Sequence, residues 1–494
     1  MGPCRTTTLG RSVDAPDGAV LPAPEGAVFH YSPERAHWLL GGEGSNLQPP
    51  DSESGALPVE LPPNGRSANL ADPGPPRGRP GTARPPFSSG PGDLVRDPPS
   101  AVRQAMVRAV TTIIDVDAQR VVIVGGGVLG TMHAHEACRR GWEVTHLEAD
   151  AGPRRASVRN FGLIWVSGRA AGPELDLAIR AREMWEQIAG HSPAVGFRPD
   201  GSLTLARHDS ELALMAEAAG QPDAARRGFE LLDRSGVRSR NPAVGGAIVG
   251  GLLCRRDAVV EPGRVLGTLR VTLEATGRYR WLPRRQAVDV ETSAHGTAVA
   301  IDHLGDRHEG DALILCIGDR LSGLGGRVGA VLAAAPLRRC RLQMMQTAPF
   351  DQHLTTALAD ADSMRYYPAF DLPGRERLPE PSATASGWGM QLLVVQRAAG
   401  GLTIGDTHAY DEPFDFAVEE HLYDDLRARA EGILGRPLPA VVRRWAGVYT
   451  GVTDDRIYYR STPEPGVTVV TGPAGRGMTL SPAIAEETWE ALTR

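Results

Sequence analysis

The chain has 494 residues, enough for two or three domains, and carries a net charge of −6 from 59 acidic and 53 basic residues. That balance gives no electrostatic case for a nucleic-acid or anionic-membrane partner, and no apolar run approaches the roughly 18 residues of a membrane span, so a soluble, cytoplasmic protein is expected. Every basic residue other than histidine is an arginine, and the absence of lysine excludes a pyridoxal phosphate Schiff base, a Walker phosphate loop and a catalytic lysine, since each needs that amine.

Residues 1–105 hold nearly half of the 40 prolines, with little hydrophobic periodicity. Such a segment buries too little apolar surface to offset chain entropy, so a disordered extension is expected. Within it, Gly41 to Pro63 ("GGEGSNLQPPDSESGALPVELPP") resembles the conceptual translation of a transfer RNA gene, which would place the true start downstream, with Met106 a candidate.

The patterned chain begins at Val121 to Val124, a short β-branched run expected of a central parallel strand. Gly125, Gly127 and Gly130 follow as G-x-G-x-x-G. The first glycine allows the tight turn, the second lets the backbone approach a pyrophosphate, and the third lets the next helix pack on the strand. Trp142 to Leu147 reads as the second strand and Glu148 ends it, about 20 residues past the glycines, where an acid accepts ribose hydroxyls and disfavours a 2′-phosphate. At this point NAD and FAD are both open.

Gly172 and Pro173 start a helix with Leu177, Ala181, Met184, Trp185 and Ile188 on one face, a core stripe. "GSLTLAR" (201–207) reads as a strand and "DSELALMAEAA" as a capped helix behind it. Two strands joined by a turn are expected in 284–303, a buried parallel strand in "DALILCIGD" (311–319), a hairpin in 391–407 and an amphipathic helix in 416–434. "GVTVVTGPAGRGMTLSPAIAEETWEAL" (466–492) gives a strand, a glycine turn and a closing helix, with Ser481 as its cap and Pro482 in its first turn. Parallel-strand material thus recurs at the start, middle and end, implying one nucleotide domain built from several segments and a second domain interleaved with it. The five cysteines lie far apart without a C-x-x-C pair, so neither a metal site nor a disulfide framework is expected.

The fingerprint with Glu148, the strand "ALILCIGD" and the turn "VTGPAGRGMTLSPAIAE" together make residues 119–494 resemble the D-amino-acid oxidase-like flavoproteins, which include glycine and sarcosine oxidases. The resemblance implies FAD, bound non-covalently, because a nicotinamide enzyme has no need of the distant C-terminal turn. It implies an α/β fold: a Rossmann-like FAD-binding domain (119–200, 250–335 and 440–494) with an interleaved α+β substrate domain of mixed antiparallel sheet (201–249 and 336–439). "ASVRNFGLIWVSGRAAGPE", "RLQMMQTAPF", "MRYYPAF", "LTIGDTH" and "GPAGRGMT" look more narrowly like a branch associated with phosphonate breakdown, whose substrates are aminophosphonates.

Carried onto this sequence, the resemblance places Gly125, Gly127 and Gly130 at the pyrophosphate and Glu148 at the adenosine ribose. Ser157, Arg159, Asn160 and Gly162 then lie near the pyrophosphate and ring, and Gly318 beneath the flavin. Gly472, Gly475 and Gly477 permit close backbone approach, and the amides of Met478 and Thr479 meet the pyrimidine edge. Amino-acid oxidases of this type usually carry an arginine that clamps the substrate carboxylate, and Tyr449 stands in that place here. The substrate anion is therefore assigned to Arg365, with Tyr366 or Tyr367 donating; the alternative is that the two tyrosines alternate on a strand. His408 is a further pocket candidate. The expected reaction is oxidation of the C–N bond of a small anionic amine, with an amino or N-methylamino carboxylate as the alternative substrate and a flavin-binding protein without turnover as a third reading. Sarcosine oxidase-like members use a lysine near the flavin to promote reaction with oxygen; this chain lacks lysine, so either an arginine or histidine substitutes or the acceptor is not oxygen.

Overall fold

A computed structural model describes residues 118–293 and 296–493, together with the backbone of two short antiparallel hairpins, Ser12–Asp14 with Val20–Pro22 and Val28–Ser32 with Arg35–Leu39. Apart from those hairpins, the segment 1–105 expected to be disordered, with 41–63 inside it, and Met106 lie outside the described residues.

The first sheet has six strands. β1 (Arg120–Val124) sits inside it between β2 (Glu143–Glu148) and β12 (Ala312–Leu315), with β8 (Tyr279–Pro283) outside β2, β19 (Val467–Thr471) beyond β12, and β18 (Tyr459–Glu464) at the far edge. All neighbours are parallel except β18 against β19. Val121 to Val124 are buried on both faces, which explains the unbroken apolar run. Helix α1 (Val128–Arg139) crosses from β1 to β2, and α2 (Pro173–His191) packs with α7 (Gly477–Leu492). Leu177, Ala181, Trp185 and Ile188 are buried, as their spacing requires. The turn expected in 284–303 joins β9 (Ala287–Thr292) to β10 (Ala298–Asp302), which with β11 (Arg307–Gly310) form a separate three-stranded sheet.

The second sheet has eight strands in the order β17 (Val441–Val452), β13 (Leu337–Pro349), β16 (Gly401–Gly405), β15 (Leu393–Gln396), β14 (Ala357–Ala359), β4 (Ser202–Ala206), β6 (Gly250–Cys254) and β5 (Phe229–Asp233). Its pairs are antiparallel apart from β14 with β4. Strands β6 and β17 belong here, so the nucleotide-binding segments cannot begin at 250 or 440 as expected; the sheets change over after Cys254 and after Val452. The pairing of β17 with the long β13 places it in this sheet, and nothing in the sequence of β17 itself signals that partner. A buried core of Leu203, Val394, Ile404, Leu422 and Leu426, among others, seats α6 (Glu420–Leu434) on this sheet.

The closing helix α7 also differs from expectation. It starts at Gly477, four residues before Ser481, so Ser481 is not its cap and Pro482 lies inside it. Proline removes the bond to the carbonyl four residues back. That carbonyl, Met478 O, instead accepts from Trp185 Nε1 at 2.9 Å. The tertiary contact satisfies what the helix cannot.

Among the described residues no helix is long and apolar enough to cross a membrane, and no cluster of His, Cys, Asp and Glu is placed to hold a metal.

Candidate flavin and substrate site

Two cavities, of about 180 and 310 Å³, adjoin and share Val128, Ala156, Ser157, Tyr449, Ala474 and Gly477 in their walls. The smaller is lined by Gly125, Gly127, Glu148, Gly318 and Gly472. Gly125 takes φ +102°, and a Cβ there would overlap the Cys316 carbonyl. Gly130 faces no cavity; a Cβ on it would overlap the Gly125 carbonyl, so it closes helix against strand as expected of the third glycine. A Cβ at Gly127 would meet only Ser157 Oγ, at 3.1 Å, so its bareness serves the open groove. The Gly126 and Asp150 amides donate to the Glu148 carboxylate at 2.7 and 2.8 Å, fixing it at the groove wall.

The first turn of α1 opens on this groove, and Val128 N–H donates to Ser157 Oγ at 2.9 Å. The first turn of α7 opens on the larger cavity through Arg476, Gly477, Met478 and Thr479. Two positive helix ends thus meet one continuous cleft. Asn160 lines it but is occupied locally: its Nδ2 donates to Ala156 and Ser157 carbonyls and its Oδ1 accepts from Gly162 N. Gly162 is not at the cleft. At φ +69° it abuts Val260 O, where a Cβ cannot fit. An extended dinucleotide needs this arrangement of bare glycines, a fixed carboxylate and two helix N-termini, so the residues present fit FAD.

The larger cavity is lined by side chains from distant segments. Tyr366 and Tyr367 both reach it, but from a helical turn (Ser363–Tyr366) and the residue after it, not from a strand. Tyr366 stacks on His408 at 4.4 Å between centroids, and its hydroxyl lies 3.4 Å from the Tyr449 hydroxyl. Gly475 approaches both hydroxyls: a Cβ there would be 3.9 Å from each. Burial pushes the Tyr449 phenol well above its usual range, so it stays a neutral donor. His408 Nδ1 faces the Gly389 carbonyl at 2.8 Å, and since a carbonyl only accepts, Nδ1 carries the hydrogen.

The structure does not bring Arg365 to the cavity. Its guanidinium is held by Asp362 at 3.2 Å and by the Pro379 carbonyl, because residues 363–366 coil and successive side chains leave the turn in different directions. Three other arginines, Arg159, Arg169 and Arg476, line the cavity. Arg169, 4% exposed, and Arg476 approach the same carboxylate, Glu174, at 3.6 and 3.3 Å. Arg159 donates to the Ala446 carbonyl and has no ion-pair partner among the described residues. Arg169 and Arg476 stand inside the stretches "SGRAAGPE" and "GPAGRGMT", but only the glycines of the latter signalled a role. Asp406, inside "LTIGDTH", and Gln391 also line the cavity, and neither is given a role from the sequence.

The family model described as FAD dependent oxidoreductase matches residues 120–491, and the chain belongs to that family. It is therefore an FAD-dependent oxidoreductase. An opine oxidase subunit of Rhizobium meliloti is 28% identical over 194 residues, which cover 36% of this chain and 52% of that protein. The bifunctional protein of tRNA 5-methylaminomethyl-2-thiouridine biosynthesis of Caulobacter vibrioides is 26% identical over 379 residues, 74% of this chain and 53% of that one. The chain thus spans about half the length of the curated relatives it matches. In fold it is similar to glycine oxidase from Geobacillus kaustophilus (TM-score 0.61, 18% identity, 76% of this chain and 95% of that one). The same holds for L-proline dehydrogenase from P. horikoshii (TM-score 0.62, 16% identity, covering 76% and 93%).

Proposed function

We propose that the chain oxidises the C–N bond of a small amine bearing an anionic group, with an aminophosphonate as the favoured class. When bound, FAD supplies the two-electron acceptor. The chain's own part is positioning: the anion is held at the arginine wall, the buried Tyr367 ring and the apolar wall limit water, and the two helix ends offset negative charge developing in the cleft. The observation that carries this reading is the surplus of guanidinium charge, since Arg169 and Arg476 share one carboxylate and Arg159 has none. A phosphonate, with three acceptor oxygens and up to two charges, uses such a wall more fully than a carboxylate. Tyr449 in place of the usual carboxylate-clamping arginine points the same way.

An amino or N-methylamino carboxylate is the second reading, favoured by the fold shared with glycine oxidase and with iminodiacetate oxidase from Chelativorans. Anaerobic mixing of the holoenzyme with a panel of aminoalkylphosphonates and amino acids tests both. Bleaching of the flavin band by aminophosphonates before amino acids supports the first, the reverse order supports the second, and no bleaching by any amine overturns both. Re-oxidation of the bleached enzyme by air decides whether oxygen is an acceptor.

A further inference from the structure

The larger cavity has a second polar pole opposite in sign to its arginines. Asp406 follows directly on β16 and Gln391 stands just before β15. Their backbones bind each other, Asp406 N–H to Gln391 O at 2.9 Å and Gln391 N–H to Asp406 O at 3.1 Å. Both side chains line the cavity and are 6% and 2% exposed. Asp406 Oδ1 and Gln391 Oε1 have no hydrogen-bond partner among the described residues.

Buried acceptors left without donors are costly and rare. Of the donors around them, His408 Nδ1–H binds Gly389 O, Arg169 Nε–H binds Trp165 O and Arg476 Nε–H binds Pro473 O, while the indole N–H of Trp165, which lines the same cavity, has no partner among the described residues. A ligand that donates through nitrogen and accepts through an anion would meet the two free acceptors at one end and the guanidinium wall at the other.

We propose that Asp406 and Gln391 form the amine pole of the substrate site, accepting the substrate N–H groups, and that Asp406 takes the proton of the ammonium form. In that step one N–H bond breaks and one O–H bond forms: R–NH3+ and the carboxylate become R–NH2 and the carboxylic acid, with no change of oxidation state. The neutral amine keeps the lone pair that C–N oxidation requires, a two-electron step for which bound FAD would be the acceptor. The inference rests on the amine reading above and names the atoms that recognise the amine.

Burial raises the Asp406 carboxyl above the usual carboxylate range, which makes it a stronger base. Against burial act His408, whose Nε2 lies 3.9 Å from Oδ2, and a side-chain hydrogen bond from Gln391, and the Asp406 charge in turn raises Tyr366 and Tyr367 from the helical turn and Cys340 from β13. Burial pushes that thiol up to about 11, so it is neutral when Asp406 titrates.

The test compares wild-type holoenzyme with Asp406→Asn and Gln391→Leu, after melting temperature and flavin content are checked. Methylphosphonate and acetate, which lack the amine, are titrated against the flavin spectrum, and the best amine from the panel is followed as flavin bleaching across pH. Asp406→Asn should bind the amine-free ligands at least as tightly as wild type, yet bleach about 100-fold more slowly at neutral pH. Its rate should recover at alkaline pH, where the substrate is already the free amine. Gln391→Leu should weaken amine binding about tenfold while sparing methylphosphonate. Equal losses on amine and amine-free ligands, or an unchanged rate and pH profile in Asp406→Asn, overturn the inference. Should Asp406→Asn lose its flavin, the Gln391→Leu ratio decides alone. If no amine bleaches the wild type, it is the underlying amine reading that falls.

Discussion

The two adjoining cavities are built in opposite ways. The smaller draws on backbone: bare glycines, the open end of α1 and one carboxylate tied to amides, begun by the first βαβ unit and completed by Gly318, Gly472 and Gly477 from distant segments. The larger is made of side chains delivered from Arg169, Tyr366, Gln391, Asp406, His408, Tyr449 and Arg476, which converge through the pairing of β13 with β17 and β16 and the packing of α2 against α7. A backbone-built site is broken by adding a Cβ and is indifferent to most side-chain changes. A side-chain-built site can be retuned one residue at a time without disturbing the fold.

The largest effect should come from Gly130→Val, where the new Cβ overlaps the Gly125 carbonyl. A loss of about 3 kcal/mol or more is expected, read as lost soluble protein and a lowered melting temperature. Gly127→Val separates groove from fold: with only Ser157 Oγ near its Cβ, the apoprotein should melt close to wild type. FAD should nevertheless bind about 100-fold or more weakly, because the side chain fills the groove. Undiminished flavin after desalting would refute the pyrophosphate assignment.

In the larger cavity the order of effects should invert, with flavin kept and turnover changed. Arg169→Ala should retain flavin while kcat/KM for the anionic amine falls by about 2 to 4 kcal/mol, the scale of losing a buried charge-assisted contact. Tyr449→Phe, which removes the hydroxyl facing Tyr366 at 3.4 Å, should cost about 0.5 to 1.5 kcal/mol on the same measure. Tyr449→Arg should shift preference from aminophosphonate toward a small amino acid. The smallest effect is expected at Arg365→Ala. Its ion pair with Asp362 is half-buried and away from the cavity, so kcat/KM should be unchanged and stability should fall by about 1 kcal/mol or less. A large loss of turnover there would restore Arg365 as the anchor and break the comparison.

The contrast between the cavities is also a contrast in legibility. The burial of Val121 to Val124, the turn at Gly125 and the close packing at Gly130 are legible because each reports a local backbone need: burial on both faces, a positive φ, a helix packed on a strand. The C-terminal turn is legible for the same reason, through Gly472 and Gly477, although the start of α7 is not. A proline in a sequence argues for a helix beginning, and nothing local says that Trp185, from α2, will take the carbonyl that Pro482 leaves free. Gly162 shows the converse error: its glycine is required, but by Val260 rather than by a ligand.

By itself the sequence determined an α/β dinucleotide fold with an interleaved second sheet, and through its resemblance the FAD cofactor, because these depend on patterns contained in single elements. Only the tertiary structure decided that Arg365 turns away while Arg169 and Arg476 gather on Glu174, and that Asp406 and Gln391 face the same space. Arg169 and Arg476 are some three hundred positions apart, and their shared carboxylate is fixed by the packing of α2 against α7. Periodicity encodes which face of an element is buried. Which charges then meet across the cavity is set by strand register and helix packing, and those are properties of the whole chain.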